Sequence, residues 1–456
     1  LVLLISQPFE IGIINNVLAV AAWMLVWWIL EVFPIFITAL LPMVFFPALG
    51  ILSVSETFMP YASPIIFLFL GGFIIALAME ERRLHERISY GLIKLTGTKP
   101  QQIVLGFMVA TALVAMWISN TATAVMLLPI ALSVSRLMEE QSSDKALLSR
   151  FRLVLMLGIA YAANIGGTMT LIGTPPNLVF AGYYFETFGV DFPFSRWFIF
   201  GVPTGATLLF ITYHLLTKVI YPIKGQEVEG VKELIQEKWT ALGKMTRPEI
   251  AVLAVFTLTV SLWIFAQPLN SLIGQRVFNN TNIAMFGGIL MFVTPVNFKK
   301  SEFILEWKST VKLPWGILLL FGGGLALAKG LDTAGIIQII GDYIANSMSL
   351  SPLFLVIILT AFAVFATELM SNVALVTVLL PVVIGIGQST GVDPLLLAIP
   401  VTLAASCAFM MPISTPPNAV VYSSGYVNVK QMMRAGIWLN LISIAIIVGV
   451  VMLVLG

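Results

Sequence analysis

The sequence predicts an all-α polytopic membrane protein made of two repeats of opposite orientation, and three observations predict it. Of its 456 residues, 59% are hydrophobic and only 10% are charged, with a mean hydropathy of +0.99, whereas a soluble domain carries about 25% charge. Apolar runs of about 20 residues, enough to cross a bilayer, recur along the whole length. Polar landmarks inside those runs recur in the same order in both halves. Ser119-Asn120-Thr121 is followed by Thr174-Pro175-Pro176-Asn177, and Ser371-Asn372-Val373 by Thr415-Pro416-Pro417-Asn418.

In chain order, Leu1–Ser6 reads as the end of a helix whose start is missing, with no basic region that would open a signal peptide. Spans are expected at 12–31, 35–52 and 63–80, with Glu31 and Glu80 at span ends. The charged, amphipathic segment 81–98 is expected to lie on the membrane surface. The run 100–138 is interrupted by Ser119–Thr121, and 139–150 reads as a polar loop. The run 151–190 is broken at Thr174–Asn177, and 195–221 is a further span. Residues 222–247 mix Lys and Glu and read as a solvated linker. The second half then repeats the order. Spans fall at 248–267, 282–296 and 312–330, with an amphipathic stretch at 331–349. The interrupted run is 351–388, the broken run 393–428, and the last span 431–455.

Spacing checks the repeat. Gly71-Gly72 precedes Ser119 by 48 residues, and Gly322-Gly323 precedes Ser371 by 49. Both glycine pairs read as close helix packing. Charge then gives orientation, because loops rich in Lys and Arg stay cytoplasmic. With 81–99 cytoplasmic, the alternation of spans puts 136–152, 218–247, 296–312 and 423–434 on the same side. That side holds 21 of the 24 Lys and Arg, and only Arg196, Arg276 and Lys329 fall on the other. The counterpart of 81–99 is 331–349, which has no Lys or Arg, so the repeats are inverted. Inverted repeats with paired broken helices are the signature of a secondary transporter.

Composition excludes other classes. A net charge of +2 and a pI of about 8.6 do not indicate nucleic-acid binding. The single cysteine, Cys407, rules out an internal disulfide framework, and two histidines, His85 and His214, cannot build a metal or His-based catalytic cluster. No span carries the paired aspartates or serine with a base that an intramembrane enzyme needs. An anion channel is the alternative of another class.

The polar breaks carry the chemistry. Consecutive prolines stop a helix and free its backbone groups, which survive in lipid only beside a cavity or packed protein. Freed amides at a helix N-terminus suit an anion, and freed carbonyls suit a cation. Asn120, Asn372, Ser119 and Ser371 add side-chain partners. No Lys or Arg adjoins these stretches in sequence, so a dianion would be held by dipoles and neutral hydrogen bonds. Glu368, three residues before Ser371 in an apolar run, reads either as a buried hydrogen-bonded acid or as a group tuning a cation or proton site.

At these residues the sequence resembles the divalent anion:sodium symporter family, also called the sodium:sulfate or dicarboxylate family. Ser406 to Val421 looks like its signature stretch, and Ser119-Asn120-Thr121 and Ser371-Asn372-Val373 look like its paired motifs. The resemblance covers essentially the whole chain. It implies inverted repeats of five spans, each with a re-entrant hairpin and a broken helix, in a homodimeric elevator-type carrier. Residues 100–221 and 351–456 would move as a transport domain, joined by the cytoplasmic linker 222–247. Residues 1–99 and 248–350 would form the scaffold. It implies a small dicarboxylate substrate such as succinate, malate, fumarate or 2-oxoglutarate, with citrate or sulfate as the alternative within the family. Asn120, Thr121, Thr174, Pro175, Asn372, Val373, Thr415 and Pro416 would surround the substrate. Ser119, Asn120 and the Gly173 backbone would line one sodium site, and Thr367, Asn372 and the Ser414 backbone the other. No organic cofactor is implied. Two departures bear on this. Val373 stands where many bacterial members have threonine. Ala115, one turn before Ser119, stands where sodium-coupled members tend to have serine, which leaves exchange and sodium symport both open.

Overall fold

The apolar runs become helices, and their proline and polar interruptions become helix ends. The computed structural model describes residues 12–30, 32–141, 144–347 and 351–456; Leu1–Ser6 and Glu31 lie outside the described residues. The first expected span is α1 (Gly12–Leu30). The second is not one span but two short helices, α2 (Ile35–Thr38) and α3 (Leu41–Ala48). Pro42 has no N–H to offer Thr38 O, so the ladder breaks between them. Next, α4 (Val54–Phe58), capped reciprocally by Ser53 and Glu56, leads through a 3₁₀ turn into α5 (Pro64–Glu81). The charged surface segment is α6 (Leu84–Lys94).

The first interrupted run is a hairpin of α7 (Pro100–Ala115) and α8 (Asn120–Gln141), with 116–119 at its tip. The 16 residues of α7 reach about 24 Å, short of the ~30 Å hydrocarbon core. The 22 residues of α8, by contrast, are long enough to cross it. The broken run gives α9 (Lys145–Thr168) and α10 (Pro175–Phe188), followed by α11 (Phe194–His214), which continues as π-helical turns to Ile220. The expected polar loop 139–150 is largely helix. Its charges sit on the ends of α8 and α9, and the Asp144 carboxylate caps α9 by accepting from the amides of Ala146 and Leu147.

The expected linker 222–247 also holds a helix, α12 (Val231–Ala241), with Val231 and Ile235 buried. Trp239 rests on the α-carbon face of Gly91 in α6, and Arg87 and Lys94 lie over its ring at 5.6 and 5.7 Å. The segment is solvated on one side only, because its few apolar residues fall on one helical face. The second half follows with α13 (Arg247–Ile273), α14 (Asn280–Val293), a two-stranded hairpin β1 (Pro295–Asn297) and β2 (Glu302–Phe303), and α15 (Trp315–Thr333). Then come α16 (Ile336–Ser347), the hairpin α17 (Pro352–Ala366) and α18 (Asn372–Thr390), and the broken pair α19 (Pro394–Ala405) and α20 (Pro416–Tyr422). The chain closes with α21 (Val429–Leu455). Among the described residues, nine helical stretches are long and apolar enough to cross a membrane.

The arms that precede the two breaks are the centre of the molecule. Every residue from Leu153 to Thr168 in α9 and from Leu395 to Ala405 in α19 is buried, as expected of helices that are apolar on all sides. The glycine pairs pack closely, as the sequence implies. A Cβ on Gly71 would sit 2.5 Å from the Ala284 carbonyl in α14, and one on Gly323 2.2 Å from Ala39 O.

The basic loops meet on one face. Arg87 Nε donates to Glu249 (2.8 Å) and its Nη atoms to the carbonyls of Gly243 and Leu242, joining α6 to the region before α13. Arg82 donates to Ile304 O (2.8 Å) and Phe303 O (3.0 Å). Arg152 pairs with Glu139 and lies over the Tyr426 ring, and Gln141 exchanges hydrogen bonds with the Glu229 backbone. These contacts link all five segments that charge assigns to one side.

His85, buried on α6, donates from Nδ1 to Met79 O (3.0 Å) in its neutral form. Burial lowers its pKa, and the contact with Met79 opposes this. A depressed folded-state value means the unfolded chain binds the proton more readily. Stability from this group is intact above the ordinary value of about 6.5 and is lost as pH falls below it. The expected result is a lower melting temperature in detergent at pH 5.5 than at 7.5, with the difference reduced in His85→Gln.

Candidate functional site

All four polar stretches line one cavity of about 1150 Å³. Ser119, Asn120, Thr121, Gly173, Thr174, Pro175, Ser371, Asn372, Val373, Ser414, Thr415 and Pro416 face it. Of the candidate residues only Thr367 does not. It is buried behind the second hairpin tip, where its Oγ1 donates to Ala405 O (2.6 Å). The cavity extends past Phe69, Phe73 and Ile317 to Glu80 and Lys312 on the basic face. There Lys312 donates to Glu81 (2.7 Å). Glu80, expected as an interfacial group, is thus part of the mouth.

The helices explain the electrostatics. α8, α10 and α18 begin at Asn120, Pro175 and Asn372, all at the cavity. The free amides of α8 and α18 bring partial positive charge to a space whose inner end has no Lys or Arg, whereas α10 opens on Pro175 and Pro176, which have no N–H, and the Asn177 amide donates to Thr174 O (3.2 Å). The opposing helix ends leave carbonyls, and these are partly consumed. Asn177 Nδ2 donates to Gly167 O (3.1 Å) and Thr170 O (2.7 Å). Asn418, 241 residues later, donates to Ala408 O (3.0 Å) and Met411 O (3.1 Å), each also 241 residues after its counterpart. The asparagine of each Thr-Pro-Pro-Asn is therefore the clasp of its own break. Among the described residues, two buried acceptors at the first break have no hydrogen-bond partner, Asn120 Oδ1 and Asn177 Oδ1; of the two only Asn120 lines the cavity, its amide lying where a Cβ on Gly167 would come within 2.7 Å.

The two hairpin tips are held differently. In the first half Thr170 Oγ1 donates to Met116 O (2.5 Å). In the second, the residue equivalent to Met116 is Glu368. Its carboxylate accepts from the amides of Phe409 (2.7 Å), Met410 (2.9 Å) and Met411 (3.1 Å) and from Asn440 Nδ2 of α21 (2.9 Å). It is 3% exposed and fully hydrogen-bonded, the first of the two readings of this residue. Cys407 is buried and donates weakly to Leu403 O, a packing role.

The motif search passed over Asn164. It lies in α9, faces the cavity, and donates from Nδ2 to Thr415 Oγ1 (3.0 Å) in the other half. A polar residue inside the apolar run 151–168 was the available signal. Lys312 was missed because it is distant in sequence from every break.

Fold and site together define a polytopic helical membrane transporter, with a dipole-lined cavity where two inverted halves meet. The chain belongs to the family described as the sodium:sulfate symporter transmembrane region, whose sequence profile matches residues 2–455. It is 40% identical to a protein named sodium-dependent dicarboxylate transporter SdcS from Staphylococcus saprophyticus, over 99% of this chain and 88% of the relative. It is 41% identical to the protein of the same name from Staphylococcus aureus, over 95% and 85%. Among solved structures, the Alcanivorax borkumensis YdaH transporter superposes with a TM-score of 0.58 at 13% identity, covering 87% of this chain and 86% of that one. Neisseria gonorrhoeae MtrF gives 0.58 at 14% identity, covering 88% and 84%. At these identities the two structures share the fold alone.

Proposed function

We propose that this protein carries small dicarboxylates such as succinate, malate, fumarate or 2-oxoglutarate across the cell membrane, coupled to sodium. One observation carries the reading: four polar stretches from two halves converge on a single cavity with no fixed cation at its inner end. The free amides at the N-termini of α8 and α18 suit the two carboxylates of a dianion, and α10 adds its dipole. The unpartnered Asn120 Oδ1 suits a sodium ion carried with the substrate, and the names of the staphylococcal relatives support both halves of the proposal. Asn120, Thr121, Thr174, Asn372 and Thr415 would contact substrate. Ser119, Asn120 and Gly173, with Thr367, Asn372 and Ser414, would supply the sodium ligands. Thr367 keeps free lone pairs while donating to Ala405 O, so its bond does not oppose that role. Residues 100–221 and 351–456 would move as an elevator against the rest, in a homodimer. The cavity exceeds the roughly 300–1,000 Å³ of closed ligand pockets and reaches the basic face, which supports a state open to the cytoplasm.

Ala115 favours a second reading. It is fully buried and brings no oxygen to the first sodium site, which points to exchange of dicarboxylates without sodium. Uptake of labelled succinate into proteoliposomes decides between them. Sodium symport gives sodium-dependent uptake into empty vesicles. Exchange gives uptake that needs internal dicarboxylate and ignores sodium. Absence of saturable succinate uptake under all four conditions overturns the substrate assignment.

A further inference from the structure

We propose that Asn164 is a positioning residue that fixes the Thr415 hydroxyl as a hydrogen-bond donor to a bound carboxylate, an inference that rests on the dicarboxylate reading above. Asn164 is 1% exposed. Its Nδ2 reaches from the first half to three acceptors of the second: Thr415 Oγ1 at 3.0 Å, Ala408 O at 3.2 Å and Asn418 Oδ1 at 3.3 Å. The orientation of this amide is determined by its surroundings. Ala408 O has no proton to give, so a flipped amide would set Oδ1 against a carbonyl oxygen. Nδ2 therefore faces Thr415.

A hydroxyl has one proton and two lone pairs. Once Asn164 occupies a lone pair of Thr415 Oγ1, the Thr415 proton has to point elsewhere, and Thr415 faces the cavity. A carboxylate accepts and never donates, so this is the polarity that an anion requires. The donor is set before substrate arrives, which spares the cost of turning the hydroxyl on binding.

The first half has no counterpart. Thr174 and Thr415 are 241 residues apart, and the residue 241 after Asn164 is Ala405. Among the described residues no side-chain amide donates to Thr174 Oγ1, so that hydroxyl can donate or accept. The site then distinguishes the two ends of its substrate. The Thr415 end is committed to an acceptor, which an ionised carboxylate supplies with either oxygen. The Thr174 end can also accept from a donor, such as a hydroxyl, an amide N–H or a protonated carboxyl group.

A double-mutant cycle on succinate uptake tests this. Asn164→Leu, close in volume but without donors, is expected to raise the KM about tenfold with little change in maximal rate, the size of a lost hydrogen bond to a charged group. Thr415→Val is expected to do the same. The double variant is expected to be no worse than Thr415→Val alone, because Asn164 acts through that hydroxyl. Asn164→Ala, which crowds nothing, runs through the same cycle. Substrate-induced shifts in melting temperature of the purified variants give the same comparison if membrane insertion suffers. Additive effects, about a hundredfold in the double variant, overturn the positioning role, since a merely structural Asn164 would act with or without the Thr415 hydroxyl. Failure of the unmodified protein to transport succinate in the same vesicles removes the dicarboxylate reading, and this inference with it.

Discussion

Asn120→Ala and Asn372→Ala each abolish succinate uptake while leaving the protein folded. Both residues open a helix at the cavity, one at each hairpin tip. Among the described residues, neither side chain donates to another residue, and Asn120 Oδ1 has no partner at all. Polar groups kept unpaired in a membrane interior are costly, and removing them relieves the fold rather than harming it. Function bears the loss. Each amide would serve a substrate carboxylate through its N–H and a cation through its oxygen. A hydrogen bond to a charged partner contributes about 1.5–3 kcal/mol, and losing two such contacts costs at least about a hundredfold in uptake. Labelled succinate uptake in proteoliposomes reads the effect, and size-exclusion profile and melting temperature read the fold. Normal transport by both variants would sink the assignment of the site.

Glu368 is expected to behave in the opposite way, with stability failing first. Its carboxylate answers three consecutive amides and the Asn440 side chain, and so joins the second hairpin, the second break and α21. Glu368→Leu leaves four donors without an acceptor, two of them buried and two half-buried. At about 1–3 kcal/mol each, the loss approaches the 5–15 kcal/mol that typically holds a domain together, so little folded protein should be recovered. Glu368→Gln keeps the shape and one acceptor but turns an N–H toward a backbone N–H. It should fold, melt several degrees lower, and transport poorly because the backbone leading to Ser414 and Thr415 is no longer held. Detergent melting curves and uptake check both. A Glu368→Leu variant that melts and transports like the parent would show that the clamp holds nothing.

The helices and the site were legible in the sequence to different degrees. Pro-Pro pairs, polar triplets in apolar runs and glycine pairs act locally, and they marked both breaks, both tips and the packing of α5 and α15. Lys and Arg, judged only by side, correctly grouped five loops that touch. What escaped depends on distance in space. The acceptor at Glu368 is answered by amides 41 to 43 residues away, and amides carry no side-chain signature. Asn164 acts across the two halves. Thr367 points away from the cavity because its hydroxyl is engaged behind the tip. The division of 35–52 needed the consequence of one missing proline N–H. The burial of α12 needed Gly91, whose lack of a side chain matters only once Trp239 is beside it.

The docking of α12 also sets a mechanical limit. It leans on α6, while α11 ends at the opposite side of the same connection, and only residues 221–230 run between them. Ten residues reach roughly 35 Å when taut, at about 3.3–3.6 Å each, and Val228 N–H held by Thr98 O and Glu229 held by Gln141 shorten the free length further. The strand is a leash. If α11 moves as proposed, the contour length of this strand caps its stroke relative to the surface helices.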